Sequence, residues 1–212
     1  MMHKRIALVR YPPAYFLPFE QTLKEVGFEV FWINSLRSDS LFLLRHGVPK
    51  QNVLDTSAFA PSDYSSEECR ARLAHLEGPD LPRIHDLIMM DRNLRFIESN
   101  LAIKYLGHLE RVVTSFLTEN KIRIVTSWRD SALQILTMLV CRRLGVPWIV
   151  PTRARIPQDL YGFCQRHDTE RLIPIRAVTA DDREWARTFL DEFSRKAVRP
   201  ALKMAAREFQ DV

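Results

Sequence analysis

The chain has 212 residues, 46% of them hydrophobic and 27% charged, which is typical of a globular domain and excludes a disordered segment or a collagen-like repeat. Its three cysteines are too few for a small disulfide scaffold and favour a reducing, cytoplasmic compartment. The formal net charge of +5 favours acidic partners, among them phosphorylated sugars, nucleotides, anionic lipid surfaces and nucleic acid. No apolar stretch reaches the roughly 18 residues of a membrane span.

The first elements along the chain form a β-α-β pattern. Ile6–Val9 is a continuous apolar run, which predicts a strand covered on both faces, as in a parallel sheet. Apolar residues at helical spacing predict a helix within 16–26, and Gly27 is a good stop for it. Phe28–Ile33 then predicts a second strand. These elements would form one crossover unit of a parallel sheet.

The middle of the chain is predicted as a third strand surrounded by helices and loops. A short helix is expected over Asp39–Arg45, and a strand beginning at Val53. Residues 58–80 are rich in Ser, Pro, Asp and Glu, so we expect a surface excursion with one polar helix over Glu67–Leu76. Leu81–Phe96 is predicted as a single helix.

The second half repeats the alternation of helices and strands. Asn100–Glu119 has one apolar stripe and predicts a long helix, which the strand Ile122–Val125 follows. A helix that is apolar over a wide arc comes next and ends at Gly145. Val146–Val150 is predicted as the last strand, because residues 152–177 lack clear periodicity.

This alternation predicts an α/β fold that is Rossmann-like and doubly wound, with a mostly parallel sheet, helices on both faces and helices at the carboxyl end. We expect four inner strands to lie side by side: Ile6–Val9, Val30–Ile33, Ile124–Val125 and Trp148–Val150. Residues 1–178 would form this domain. Residues 179–212 would form amphipathic helices that pack on it or lead to an absent second domain, and Trp185, Phe189 and Phe193 give the first of them an apolar stripe.

The candidate site follows from the predicted sheet. In an open α/β sheet, ligands bind outside the carboxyl ends of the strands, where the strand order switches. Three loops meet this condition, and we predict that they hold the substrate-binding residues Arg10, Tyr11, Trp128, Arg129, Arg153 and Arg155. Guanidinium groups suit phosphates and carboxylates, and aromatic faces suit sugar rings or bases. We therefore expect a positive mouth at this edge of the sheet.

Several of these residues also have a purely structural interpretation. Arg10 would then be a solvated residue at the sheet edge, and Trp128 a packing residue. Asp130 is the carboxylate nearest the predicted cleft and is the candidate catalytic base, but Asp130 or Ser131 can equally cap the following helix. We interpret the Asp91–Arg92 pair as a local ion pair or helix-surface pair.

The remaining motifs point away from cofactor and metal chemistry. The six glycines form neither a dinucleotide-binding fingerprint nor a phosphate-binding loop, so no cofactor is predicted. The histidines lack the spacing of a metal-binding helix, so no metal site is predicted. No helix has a one-sided basic stripe, so nucleic acid is not an expected partner.

Parts of the sequence resemble a known family. The strand Arg5–Val9, the Asp91–Arg92 pair before a long helix, and the block Ile124–Pro157 resemble the amino-terminal half of bacterial capsule and surface-polysaccharide biosynthesis proteins. The strongest stretch is Cys141–Pro147, followed at a matching distance by Arg155–Pro157.

The resemblance covers residues 4–200 loosely and implies one half of a GT-B-like glycosyltransferase, an enzyme type with two facing Rossmann-like domains. The amino-terminal domain would shape the acceptor side, and a second domain, which we expect this chain to lack, would hold the nucleotide sugar. The implied partners are a nucleotide sugar or phosphosugar, a glycan or lipid-linked acceptor, a second domain or partner chain, and the inner face of a membrane. The alternative is a non-catalytic Rossmann-like module that binds a nucleotide or phosphosugar or docks a partner protein.

Overall fold

A computed structural model describes residues 4–127, 131–153, 161–164, 173 and 176–196. Its sheet has the strands β1 (Lys4–Val9), β2 (Phe28–Asn34), β3 (Val53–Asp55), β4 (Ile124–Ser127), β5 (Trp148–Arg153) and β6 (Tyr161–Cys164). The helices in the described residues are α1 (Pro13–Glu25), α2 (Arg37–Arg45), α3 (Ser66–Ala74), α4 (Ile84–Met90), α5 (Ser99–Glu119), α6 (Ala132–Leu144) and α7 (Ala180–Lys196).

The strand order is β3-β2-β1-β4-β5-β6, and β1 to β5 are all parallel. Ala7 of β1 pairs with Phe31 of β2 on one side and with Val125 of β4 on the other. The four strands predicted to be inner neighbours are therefore confirmed, and so is the α/β, Rossmann-like class. Ala7 and Leu8 are completely buried, as expected for adjacent residues of a strand that is covered on both faces.

Two hydrophobic clusters pack against opposite faces of the sheet. Leu8 and Trp32 point to the face covered by α1 and α2, where Leu43 of α2 meets them. Ala7 and Phe31, one residue out of step, belong to the larger cluster with α5 and α6. Successive side chains of a strand point to opposite faces, and here each face packs against a hydrophobic cluster. Every residue in the middle of these strands is therefore apolar.

The last part of the sheet differs from its prediction. β5 continues to Arg153, and β6 adds an antiparallel edge strand in a region predicted to have no regular structure. Val150 pairs with Cys164 and Arg153 with Tyr161. Because β6 is only four residues long, its side chains repeat too few times to give a periodic signal.

The helix predicted over Leu81–Phe96 is also shorter in the structure. α4 ends at Met90, and a 3₁₀ turn over Leu94–Phe96 follows it. The break falls at Asp91, whose carboxylate accepts hydrogen bonds from the backbone N–H groups of Asn93 and Leu94. An aspartate that binds the backbone two residues further on competes with helical hydrogen bonding.

A buried carboxylate joins three helices behind the sheet. Glu110 of α5 is 1% exposed, and its oxygens lie 3.2 Å from Arg72 Nη1 of α3 and 2.7 Å from Arg143 Nη2 of α6. The Thr114 hydroxyl donates to the same carboxylate. Moving one of these helices away would leave the buried Glu110 carboxylate without a charge partner, which is energetically costly. The two ion pairs of Glu110 therefore hold α3, α5 and α6 together.

Residues 174–212 form a second compact unit, of which the described helix is α7. The Trp185, Phe189 and Phe193 rings stack along one face of α7, with neighbouring centroids 5.6 and 6.3 Å apart. The predicted aromatic stripe is therefore present. The predicted boundary at residue 178 and the contact of α7 with another domain stay predictions. Within the described residues, no helix combines the length and apolar character that a membrane span requires.

A steric prediction follows from the contact between α3 and α5. A Cβ on Gly107 would lie 2.4 Å from Cys69 Sγ and 2.7 Å from Cys69 Cβ. Replacing a helical glycine by alanine usually stabilises a protein by about 1 kcal/mol, but here we expect overpacking to destabilise it by about 1–3 kcal/mol. Urea unfolding of Gly107→Ala measures the sign. Gly78→Ala is the control, because its nearest new contact is Leu81 Cδ1 at 3.4 Å. A stabilised Gly107→Ala variant would contradict the packing.

Candidate functional site

A cavity of about 390 Å³ opens at the carboxyl edge of the sheet. It is lined by Arg10, Ser35, Leu36, Phe59, Pro61, Asp91, Asn93, Leu94, Ile97, Leu101, Tyr105, Ala132 and Leu133. These residues follow β1 and β2, belong to the segment between β3 and α3, or come from α5, its preceding loop and the start of α6. The winding of the sheet reverses between β1 and β4, so the cavity lies at the switch point where α/β sheets bind ligands.

Arg10 supplies the positive charge of the cavity. It follows β1 directly and has a φ of 54°, in the left-handed region that costs a residue with a side chain about 1 kcal/mol or more. Its backbone N–H donates to the Ile33 carbonyl at 2.9 Å, so the turn is fixed to β2. Among the described residues, none forms a hydrogen bond or ion pair with the guanidinium, although Asp39 and Asp91 are close enough to interact with it electrostatically.

Asp91 supplies the negative charge, and three backbone N–H groups hold it. Its Oδ1 accepts from Asn93 at 2.9 Å and from Leu94 at 3.1 Å, and its Oδ2 accepts from Ala132, the first residue of α6, at 3.0 Å. Partial burial raises the pKa of this carboxyl, but the three N–H groups and Arg10 together lower it below its usual range. Asp91 is therefore ionised at neutral pH and is a weak base.

One wall of the cavity is aromatic and rests on a hydrogen-bonded network. The Phe59 ring lies 5.4 Å from the rings of both Tyr105 and His108. Arg111 can only donate, so the Tyr64 hydroxyl accepts from it, and the same hydroxyl forms a hydrogen bond of 2.7 Å with His108 Nδ1. Burial and the charge of Arg111 lower the pKa of His108 more than a hydrogen bond with the Thr56 backbone raises it, so the neutral ring is favoured.

The start of α6 closes the opposite side. Ser131 is the N-cap, and both its backbone N–H and its hydroxyl donate to the Gln134 side chain. Of the two caps predicted, the structure thus shows Ser131 in this position. Because the Asp91 carboxylate accepts from Ala132, a side chain from another part of the chain already satisfies one free donor of this helix end.

Of the predicted site residues that the structure describes, Arg10 lines the cavity. Tyr11, the next residue, is 2% exposed and lies in the core beneath the edge, where its hydroxyl hydrogen-bonds with Thr126 at 2.9 Å. Burial raises the pKa of Tyr11 to about 12. Arg153 ends β5.

The other predicted site residues, Trp128, Arg129, Asp130 and Arg155, lie outside the described residues. Their roles, and the positive mouth formed by several arginines, stay predictions.

The interpretation of Asp91 and Arg92 as a local pair is wrong. Arg92 is exposed, whereas Asp91 binds backbone N–H groups and lines the cavity. The turn at Asp91 could have been predicted from the sequence, because an aspartate side chain often accepts a hydrogen bond from the backbone N–H two residues further on. The aromatic residues Phe59 and Tyr105 were missed because they come from a loop and from the middle of a helix, not from strand ends.

No protein-family model matches the sequence, and no curated protein is significantly similar to it. The crystal structure of Acinetobacter baumannii MurG is similar at 12% sequence identity and a TM-score of 0.39, over 71% of this chain and 36% of that chain. The match thus spans about a third of MurG. The strand order and the cavity define an α/β, Rossmann-like protein with a charged pocket at its switch point.

The bonding of Asp91 makes a prediction about stability. Asp91→Ala leaves three backbone N–H groups without their acceptor, so we expect a loss of about 2–3 kcal/mol at pH 7. Because the pKa of Asp91 is lowered on folding, its contribution is present above about pH 4 and disappears as the pH falls through the folded value. Denaturant unfolding of both proteins between pH 7 and pH 3 should show their difference shrinking. The exposed Glu119→Ala is the control, and a pH-independent difference would contradict the assignment.

Proposed function

We propose that the cavity binds a phosphate-bearing ligand and that the chain is the acceptor-side domain of a glycosyltransferase in bacterial surface or capsular polysaccharide synthesis. In this proposal a sugar moves from a nucleotide donor to an acceptor hydroxyl. The observation that carries it is Arg10: a guanidinium in a cavity at the switch point, without a hydrogen-bond partner among the described residues. Such a group suits the oxygens of a phosphate.

The sequence resemblance supports the same proposal. The Asp91–Arg92 pair belongs to the resembling residues, and Asp91 lines the cavity. The strongest resembling stretch, Cys141–Pro147, spans the end of α6 and the turn into β5. The partners proposed are a nucleotide sugar or phosphosugar and a glycan or lipid-linked acceptor, together with a second domain or partner chain.

We place the protein in the cytoplasm, at the inner face of the membrane. The support is an apolar surface beside the cavity: Phe96 is 76% exposed, Met90 is 47% exposed and Ile97, which lines the cavity, is 39% exposed. Apolar side chains next to arginines, here Arg92 and Arg95, suit contact with an anionic lipid surface.

The chemistry of the described lining also supports the second candidate function. Asp91 is the one carboxylate among the described lining residues, and its three N–H donors make it a weak base. An inverting transfer would therefore need a base from elsewhere, for which Asp130 is our candidate. Without such a base, the domain is a non-catalytic module that binds a nucleotide or phosphosugar or docks a partner protein.

The binding part of the proposal is tested with arginine variants. Thermal shift against nucleoside diphosphate sugars and sugar phosphates selects a binder, and calorimetry then compares Arg10→Ala with Arg142→Ala. A charge-assisted contact contributes roughly 1.5–3 kcal/mol, so we expect Arg10→Ala to weaken binding about tenfold or more. Arg142 is exposed near the far end of α6, and its loss should leave affinity unchanged.

Two results would contradict this proposal. Equal losses in both variants would mean that the ligand feels only the diffuse positive charge of the protein, an effect that added salt would screen. Failure of every phosphate-bearing ligand to bind the unsubstituted chain would remove the assignment of the cavity altogether. Unfolding curves of both variants show whether either change acts through stability.

A further inference from the structure

The cavity contains two opposite charges in different bonding states. The Arg10 guanidinium forms no hydrogen bond with the described residues. The Asp91 carboxylate has about four acceptor positions, of which backbone N–H groups fill three. Asp91 is half-buried and lines the cavity, and no other described residue donates to it, so among the described residues one acceptor position is left for a bound ligand.

This pair of charges restricts the chemistry of the ligand. A simple anion would be attracted by Arg10 and repelled by Asp91. A simple cation would be attracted by Asp91 and repelled by Arg10. A purely apolar ligand would remove water from both charged groups without forming hydrogen bonds that compensate for the loss. The ligand that satisfies the site carries an acidic group and, a short distance away, a hydrogen-bond donor.

The remaining walls narrow the class further. Phe59 and Tyr105 offer aromatic surface, which suits the C–H face of a ring. The volume of about 390 Å³ is near the lower end of the roughly 300–1,000 Å³ of small-molecule sites. A unit the size of one sugar and one phosphate therefore fits the cavity better than a whole nucleotide sugar.

We propose that this cavity binds a monosaccharide phosphate unit, with the phosphate on Arg10 and a ring hydroxyl donating to Asp91. Asp91 then determines specificity for a hydroxylated ring and does not act as the base. This inference rests on the proposed function and names the substrate class of the same site. It distinguishes a sugar phosphate from other phosphates that Arg10 alone would attract.

A ligand series tests the inference on the unaltered chain. Calorimetry compares inorganic phosphate, glucose 1-phosphate, galactose 1-phosphate and N-acetylglucosamine 1-phosphate with cyclohexyl phosphate, which has a six-membered ring and no ring hydroxyls. We expect at least one sugar phosphate to bind about tenfold more tightly than cyclohexyl phosphate, because a hydrogen bond to a charged group contributes roughly 1.5–3 kcal/mol. Arg10→Ala should weaken all of the organic phosphates.

Asp91→Asn supplies the second measurement. In this variant the affinity ratio between the preferred sugar phosphate and cyclohexyl phosphate should fall to about one, while cyclohexyl phosphate still binds. If Asp91→Asn does not fold, the ligand series on the unaltered chain decides alone. A folded variant that keeps the full ratio would overturn the role of Asp91.

The failures of the two proposals are distinguishable. If cyclohexyl phosphate binds as tightly as every sugar phosphate and Arg10→Ala weakens all of them, the sugar-phosphate inference is overturned and phosphate binding stands. If neither these probes nor nucleoside diphosphate sugars bind, both proposals fail. If a nucleoside diphosphate sugar binds through Arg10 and no monosaccharide phosphate binds, only the inference made here is overturned.

Discussion

The parallel pairing of β1 with both β2 and β4 is the constraint on which the rest of the structure depends. Parallel neighbours cannot be joined by tight turns, so each connection must cross a face of the sheet, and helices cover both faces as a result. The same arrangement brings the chain out at one edge after β1, β2 and β4. The carboxyl ends of parallel strands lie at the same edge of the sheet, so segments that are distant in sequence come together there and form the cavity.

Asp91 connects this architecture to the chemistry of the cavity. One carboxylate ends the helical region after α4, accepts from the first residue of α6, and gives the cavity its negative charge opposite Arg10. Behind it, Glu110 joins α6 to α3 and α5 through two arginines. The wall formed by α6 is thus anchored near both of its ends, so the proposed ligand would meet a preformed surface at Asp91 rather than one assembled on binding.

Most of the fold was predictable because its signals are local. The inner strands are apolar on both faces, so Ile6–Val9 and Val30–Ile33 could be recognised from a few residues each. β6 could not be recognised, since it owes its conformation to pairing with β5. Within the site, Arg10 was predictable from its position after a strand, whereas Asp91 depends on an N–H group 41 residues further along the chain. A sequence read locally suggests Arg92 as its partner and gives no sign of Ala132.

The positively charged residue of the cavity, Arg10, has a strained backbone conformation at the end of β1. With a φ of 54°, this position favours glycine, and an arginine there gives up about 1 kcal/mol of conformational energy. Glycine in its place would yield a more stable domain whose cavity lacks this positive charge and keeps the negative charge of Asp91. If the cavity binds its ligand as proposed, stability and ligand recognition are opposed at this residue, and selection for heat resistance alone would tend to remove the positive charge that binds the ligand.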